Sequence, residues 1–283
     1  MPRAAIRDLP FRHNLKPNLG LEIFRLTELF DRVRDDSLET PQRPDFHTVY
    51  IGLTGKGSLL VDFTAVPLGA GTLTIVARGR VQQFTRQKGL DAWLVLARPE
   101  LLTRQHGVLD TTWERPSVAL GAEDSRDLRA LAEQIAAEQA RPLDSVQPPL
   151  LAALFDAVLL RAERLARDAR PAPPAELARF FTTLEADFMR TRSVAHYAKR
   201  SGLSARRLAE LVVAHAGKSP KKVIDDRVVL EQKRLLAHTD VSVKELAART
   251  GFDEPTNLVK FFRHHVGVTP LEFRKNLPSA RRS

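Results

Sequence analysis

The chain has 283 residues, 43% of them apolar, no cysteine and a formal net charge of +10. That length and apolar content can fill two ordinary cores, and the lack of cysteine excludes disulfides, thiolate metal sites and cysteine nucleophiles together. No stretch approaches the ~18 apolar residues that span a bilayer, and the opening MPRAAIRDLPFRHNLKPN has no apolar core of signal-peptide length, so a cytoplasmic protein with no membrane partner is expected.

Residues 1–20 are polar and turn-rich, with Pro10, Pro17 and Gly20, and read as an extended arm. From Leu21 to about Leu102 short apolar runs alternate with turn signals: LEIFRL, HTVYIGL before Thr54-Gly55-Lys56-Gly57, SLLVDF, PLGAG, TLTIVA, VQQFTR and AWLVLA. Short runs rich in Val, Ile, Leu, Phe and Thr, spaced roughly ten residues apart, predict antiparallel sandwich or barrel strands with no helical period among them.

From Glu123 the period becomes helical. Leu128, Leu131, Ile135 and Ala136 mark a helix over 123–139, and Leu150, Leu151, Leu154, Val158, Leu159 and Leu165 mark a second over 149–168. The stripe of the second is wider than a barrel flank needs and is bordered by Arg161, Glu163 and Arg164, which predicts a homodimer interface; packing on its own barrel is the alternative. RPAPPA at 170–175 sets three prolines in four positions, which no helix continues through, and is the predicted linker between domains at 21–169 and 176–283.

Helices are predicted throughout the remainder, over 175–191, 194–201, 205–216, 220–238, 243–250, 254–266 and 270–276. One pattern occurs twice, at 193–220 and 242–270. Both copies open with Ser-Val. An alanine (Ala198, Ala247) sits four residues before a glycine (Gly202, Gly251) whose positive backbone angle makes a turn. An apolar residue (Leu203, Phe252), a cap-forming residue (Ser204, Asp253), an amphipathic helix, a second glycine (Gly217, Gly267) and Ser-Pro or Thr-Pro follow. This is the sequence form of a helix-turn-helix, and two on one chain can read successive stretches of a DNA groove without a second subunit. The charge agrees: from Pro173 onward there are 21 Lys and Arg against 12 Asp and Glu, a surplus of 9, while residues 1–172 hold 23 against 22.

In the second helix of each unit, Leu208, Leu211 and Val212, and Leu258, Phe261 and Phe262, fall on the buried stripe. Arg206, Arg207 and Glu210 in the first, and Thr256, Asn257 and Lys260 in the second, are left to face double-stranded DNA. Arginine's planar fork matches guanine O6 and N7, and Glu accepts from cytosine N4. Arg263 and Arg274, with His264, His265 and Lys275, are phosphate candidates; a solvated basic surface is the alternative for each. His264 and His265 are adjacent and so point to different helix faces, which argues against a shared metal.

The run SPKKVIDDRVVLEQKRLLAHTDVSVKELAARTGF (219–252) and the ending GF…FFRHHVGVTPLEFRKNL resemble the C-terminal domain of the AraC family of bacterial transcription regulators, over about 100 residues without gaps in the motif. The resemblance implies that 205–216 and 254–266 are recognition helices, held in adjacent major-groove segments by the connecting helix 220–238. It also implies, by family habit, an activator with RNA polymerase as a partner. One departure is Val212-Val213, where the family usually carries an aromatic, which predicts looser packing in the first unit.

Residues 45–84 resemble, less strongly, the cupin-like sensory domain of the same family. Together the two resemblances imply an α+β chain: an N-terminal cupin-like β-barrel with flanking helices, then an all-α domain with two helix-turn-helix motifs. Metal-binding cupins would show histidines where this chain has Gln42-Arg43-Pro44 and Gln82-Gln83, and the turn between reads Arg78-Gly79, so no metal, no other cofactor and no catalysis are expected. A barrel of this size can enclose one small-molecule effector. His47, Tyr50, Gln83 and Trp93 interrupt apolar strands and are the candidate liners, with ordinary core satisfaction the alternative for each. An N-terminal domain that only dimerises or binds a protein partner is a second reading; a cupin enzyme, lacking its ligands, is a third.

Overall fold

The computed structural model describes residues 7–13, 16, 19–33, 36–85, 87–104, 106–111, 116–169 and 174–276. The chain divides into two units, 6–172 and 173–283. Residues 170–173 of the expected linker, and much of the expected arm, lie outside the described residues.

The first unit runs β1 (Arg7–Leu9), β2 (Leu21–Arg25), α1 (Leu26–Arg32), β3 (Gln42–Pro44), β4 (His47–Thr54), β5 (Lys56–Val61), β6 (Thr64–Gly69), β7 (Thr72–Val76), β8 (Gln82–Gln83), β9 (Asp91–Ala97), α2 (Gly107–Thr111), β10 (Ser117–Ala119), α3 (Ala122–Ala140) and α4 (Gln147–Ala169). The strands form two five-stranded sheets, ordered β1-β3-β8-β5-β6 and β10-β7-β4-β9-β2. Alternation along β4 sorts its side chains. Tyr50 joins an interior shared by both sheets, with Phe24, Leu59, Val61, Val76 and Phe84, while Val49 and Ile51 point to the opposite face, where Leu128 and Ile135 of α3 and Leu151, Phe155 and Val158 of α4 cover them. The second sheet is therefore buried on both faces, and residues 47–52 are buried without alternation, polar His47 and Thr48 included.

The strand-rich first half and helical second half give the expected α+β chain. One short helix departs from the expectation. α1 falls inside the stretch where strands alone were predicted; Leu26, Leu29 and Phe30 supply one short apolar face, too short to register as a period, and Glu28 accepts a hydrogen bond from the Arg25 amide at its start (3.0 Å). The apolar stripe of α4 also divides differently: Leu151 and Val158 are fully buried, Leu154 and Leu165 pack on the same core, and only Leu150 stays exposed, joined on that side by Val146 and Leu160.

Polar contacts fix the surroundings of α3 and α4. The Lys16 ammonium donates to Gln139 O (2.6 Å) and to Arg141 O, placing a cation against the carbonyl end of α3. His106, fully buried, lies between Asp156 (2.9 Å) and Glu163 (3.4 Å), two turns apart on α4.

The second unit is helical throughout: α5 (Ala175–Asp187), α6 (Val194–Arg200), α7 (Ala205–Ala216), α8 (Pro220–His238), α9 (Val243–Arg249), α10 (Pro255–Val266) and α11 (Pro270–Asn276). α5 stops earlier than predicted because the Arg190 and Thr191 amides both fold back onto Asp187 O. α8 is buried on several faces, with Val223, Ile224, Val228 and Leu236 beside Arg227, Glu231, Gln232 and Arg234. Most of those polar groups find partners within the unit: Arg227 donates to Glu185 (2.8 Å), Arg234 to Glu231 (3.0 Å) and Gln232 Nε2 to Thr250 (3.2 Å), while Gln232 Oε1 has no partner among the described residues; the Arg227 guanidinium lies 3.7 Å from the centre of the Phe188 ring.

Candidate nucleic-acid interface

The repeated sequence pattern builds one turn twice. At the end of α6 the Ser201 hydroxyl donates to Tyr197 O (2.8 Å), and at the end of α9 the Thr250 hydroxyl donates to Leu246 O (2.8 Å). Gly202 and Gly251 follow with φ of 73° and 70°. The Leu203 amide then returns to Ala198 O and the Phe252 amide to Ala247 O, each at 2.9 Å, closing the last carbonyls of the first helix. Buried Ala198 and Ala247 keep this corner small, so that the following helix crosses close by.

In α7 the Ser204 hydroxyl accepts from the Arg207 amide (3.1 Å), a side-chain cap. Leu208 and Val212 are fully buried and Leu211 half-buried, leaving Arg206, Arg207, Glu210 and Val213 on the exposed side. Glu210 accepts from Arg206 Nε and from an Arg207 terminal nitrogen, both at 3.2 Å. The looser packing expected around Val212 is not found: Tyr197, Leu208 and Val212 are fully buried, and the aromatic filling comes from α5, with Phe180 edge-on to Tyr197 at 5.9 Å and Phe181 5.8 Å from His215.

α10 starts otherwise. Its cap residue is Glu254, with no side-chain cap hydrogen bond, and not Asp253 as the sequence pattern suggested. Pro255 fixes the first helical position and holds the residue before it extended (φ −122°, ψ 131°), so the cap position falls one residue later. Leu258 and Phe262 are fully buried, Phe261 is half-buried, and Thr256, Asn257, Lys260 and Arg263 are exposed. α10 contains no acidic residue.

Seven of the eight DNA-contact candidates thus lie on exposed helix faces. Arg274 differs. Its guanidinium donates to Leu236 O (3.3 Å), Thr239 O (3.4 Å) and Val241 O, so its charge closes the carbonyl end of α8. Sequence reasoning left Val213 out of the candidates; it is half exposed, three residues past Glu210 and seven past Arg206, and that spacing was the available signal.

The cations at the start of α8 are paired: Lys218 and Lys222 with Asp226 (2.9 and 2.5 Å), and Lys221 with Asp225. His265 sits 3.6 Å from Asp225, and burial lowers its pKa. The His264 and His265 rings are nearly perpendicular, at 86°. Among the described residues no three His, Asp or Glu side chains gather as they would around a metal.

The four effector candidates are not brought together. Tyr50 points into the interior between the two sheets, where its hydroxyl donates to Gln82 Oε1 (3.3 Å) and burial pushes its pKa up. His47 and Trp93 point to the face covered by α3 and α4. His47 Nδ1 accepts from the Arg78 amide (3.3 Å), and burial first, then the Arg78 charge, lower its pKa to about 4, so the ring is neutral. The Arg25 guanidinium lies over Trp93, 5.3 Å from the ring centre. Gln83 pairs with Leu60 and so points away from the interior that its neighbour Gln82 faces. The interior polar group is instead Gln42, Thr48, Tyr50 and Gln82, drawn from β3, β4 and β8; the buried Thr48 hydroxyl has no hydrogen-bond partner among the described residues.

Two exposed second helices, each behind the same turn and joined by a buried helix, define a DNA-binding protein with a double helix-turn-helix. A family model described as a helix-turn-helix domain matches residues 197–276. The HTH-type transcriptional activator RhaS of Salmonella arizonae is 25% identical over 243 residues, covering 82% of this chain and 86% of that protein. Among solved structures, a transcriptional regulator with an AraC-type DNA-binding domain from Chromobacterium violaceum is 24% identical over 38% of this chain and 95% of its own (TM-score 0.34). A point variant of ToxT from Vibrio cholerae, in its apo form, is 10% identical over 92% of this chain and 99% of its own (TM-score 0.40). The chain is a DNA-binding transcriptional regulator with a C-terminal helix-turn-helix domain.

Proposed function

We propose that the chain activates transcription, as its RhaS relatives are named for doing, by placing α7 and α10 in two successive major-groove segments of one duplex and engaging RNA polymerase there. The observation that carries this reading is the duplicated turn, which presents an exposed recognition face in each unit. Arg206 and Glu210 read bases in the first segment, guanine and cytosine being their natural partners, with Val213 against a thymine methyl; Thr256, Asn257 and Lys260 read the second, and Arg207 and Arg263 hold phosphates. Arg274 supports the site from behind by closing α8.

The first unit receives a small organic effector at the interior polar group formed by Gln42, Thr48, Tyr50 and Gln82, and self-associates through the outward face of α4 that carries Leu150 and Leu160, with Val146 just before the helix. The apolar side chains that fill the rest of the interior favour a second reading, in which this unit only dimerises or binds a protein partner.

Titrating the full chain against a promoter-length duplex over a salt series tests the DNA reading. Affinity should fall by roughly 0.9 log units per log salt for each phosphate neutralised. An absence of binding at low salt would sink it.

A further inference from the structure

α5 and the loop after it send one arginine to the turn of each helix-turn-helix unit. In the first, Arg179 Nε and Nη2 donate to Ser201 O, both at 3.4 Å, the carbonyl just before Gly202. In the second, Arg192 Nη1 donates to Thr250 O and Gly251 O, both at 3.1 Å, at the equivalent place in the repeat. The Arg192 guanidinium also covers Phe252, 3.6 Å from the ring centre. Backbone reinforces the contact: a Cβ at Gly251 would lie 2.6 Å from Met189 O. The loop is itself held on the other side, since Tyr197 of α6 donates its hydroxyl to Thr191 O (2.8 Å). The loop that opens the first unit is thus seated on the turn of the second.

Each turn marks where a recognition helix begins. α8 joins the units, but a single helix with a turn at either end sets their separation more firmly than their mutual rotation. A second contact that bypasses α8 removes the remaining freedom. We infer that Arg192 is a positioning residue that fixes the spacing and phase between α7 and α10, and with them the separation of the two DNA segments this protein accepts. This rests on the proposal that both helices read DNA. The chemistry needs arginine: a planar fork can stack on Phe252 while bonding two carbonyls from one edge, which an ammonium does not reproduce.

The test uses the full chain and a duplex that the wild-type chain selects from a randomised library. Companion duplexes carry one or two extra base pairs between the protected segments, or have one segment scrambled. Wild type should lose about tenfold or more in affinity on the insertions, because a rigid pair of helices no longer meets both segments in phase. Arg192→Leu should lose about tenfold on the native spacing, bind the inserted duplexes within about threefold of that level, and keep wild-type affinity for one-segment duplexes, since linkage and not contact is removed. Arg192→Lys should fall between the two. Equal losses on one-segment and two-segment duplexes, or wild-type spacing discrimination in the variants, would overturn the brace. Should Arg192→Leu fail to fold, Arg192→Lys and Phe252→Leu decide by the same readout. A wild-type chain that binds its selected duplex yet ignores the insertions would overturn the two-helix reading itself, and the brace with it.

Discussion

The two helix-turn-helix units share a turn down to its hydrogen bonds and differ in almost everything beyond it. Ser201 and Thr250, Gly202 and Gly251, and Leu203 and Phe252 occupy equivalent places with equivalent partners. The recognition helices then diverge. α7 begins with a serine cap and carries two arginines held by Glu210, whereas α10 begins with an uncapped Glu-Pro pair and carries no acid. What repeats is the part that backbone geometry dictates; what varies is the exposed face that the proposed function assigns to DNA. The environments of the turns also differ: the first faces open space beside Arg179, and the second is pressed against the Met189–Arg190 backbone.

That last difference gives the largest expected effect. Both turn glycines have positive φ, so alanine at either costs about 1–2 kcal/mol in backbone strain. At Gly202 the new Cβ meets nothing nearer than Arg179 Nη2 at 3.9 Å, while at Gly251 it meets Met189 O at 2.6 Å. Gly251→Ala should therefore destabilise the second unit of the chain about twice as much as Gly202→Ala, or more, because the clash adds to the strain. Chemical denaturation of the two variants measures it; equal losses would mean that the turns are equivalent after all.

The capping difference should be smaller. Ser204→Ala should cost about 1 kcal/mol, the usual worth of a hydroxyl cap, and Glu254→Ala should cost nothing measurable, since Glu254 makes no side-chain cap hydrogen bond. A loss at Glu254 matching that at Ser204 would contradict the assignment of the two helix starts.

Both the turn and its glycines were legible in the sequence because a positive backbone angle admits few residues, and because Ala198 and Ala247 stand at one fixed offset from it. The strand region was legible through its short apolar runs. Four features were not. α1 is only seven residues long and leaves no period; the cap of α10 is set by the proline after it; the fate of Arg274 depends on carbonyls more than thirty residues away; and the side of the sheet to which His47 points depends on register, which a one-residue slip inverts. Local rules locate elements, and long-range packing decides which of their side chains remain available.

The smallest effect concerns charge. Glu210 is exposed and bonded to both arginines of α7, so Glu210→Gln should change stability by no more than about 0.5 kcal/mol. It should raise affinity for random duplex DNA a few-fold and steepen its salt dependence, as two guanidinium groups become fully available to phosphate. Unchanged random-DNA binding would show that the pair does not restrain these arginines.

The central claim is that both recognition helices read bases at once. A base-by-base substitution scan of the duplex selected by the wild-type chain, repeated with Arg206→Ala and with Lys260→Ala, tests it most directly. Each variant should lose about 1–3 kcal/mol of discrimination at one position, and the two positions should lie about one helical turn apart, roughly 10 base pairs. If both variants relax the same position, or if either weakens all sequences alike, the two helices do not read successive segments.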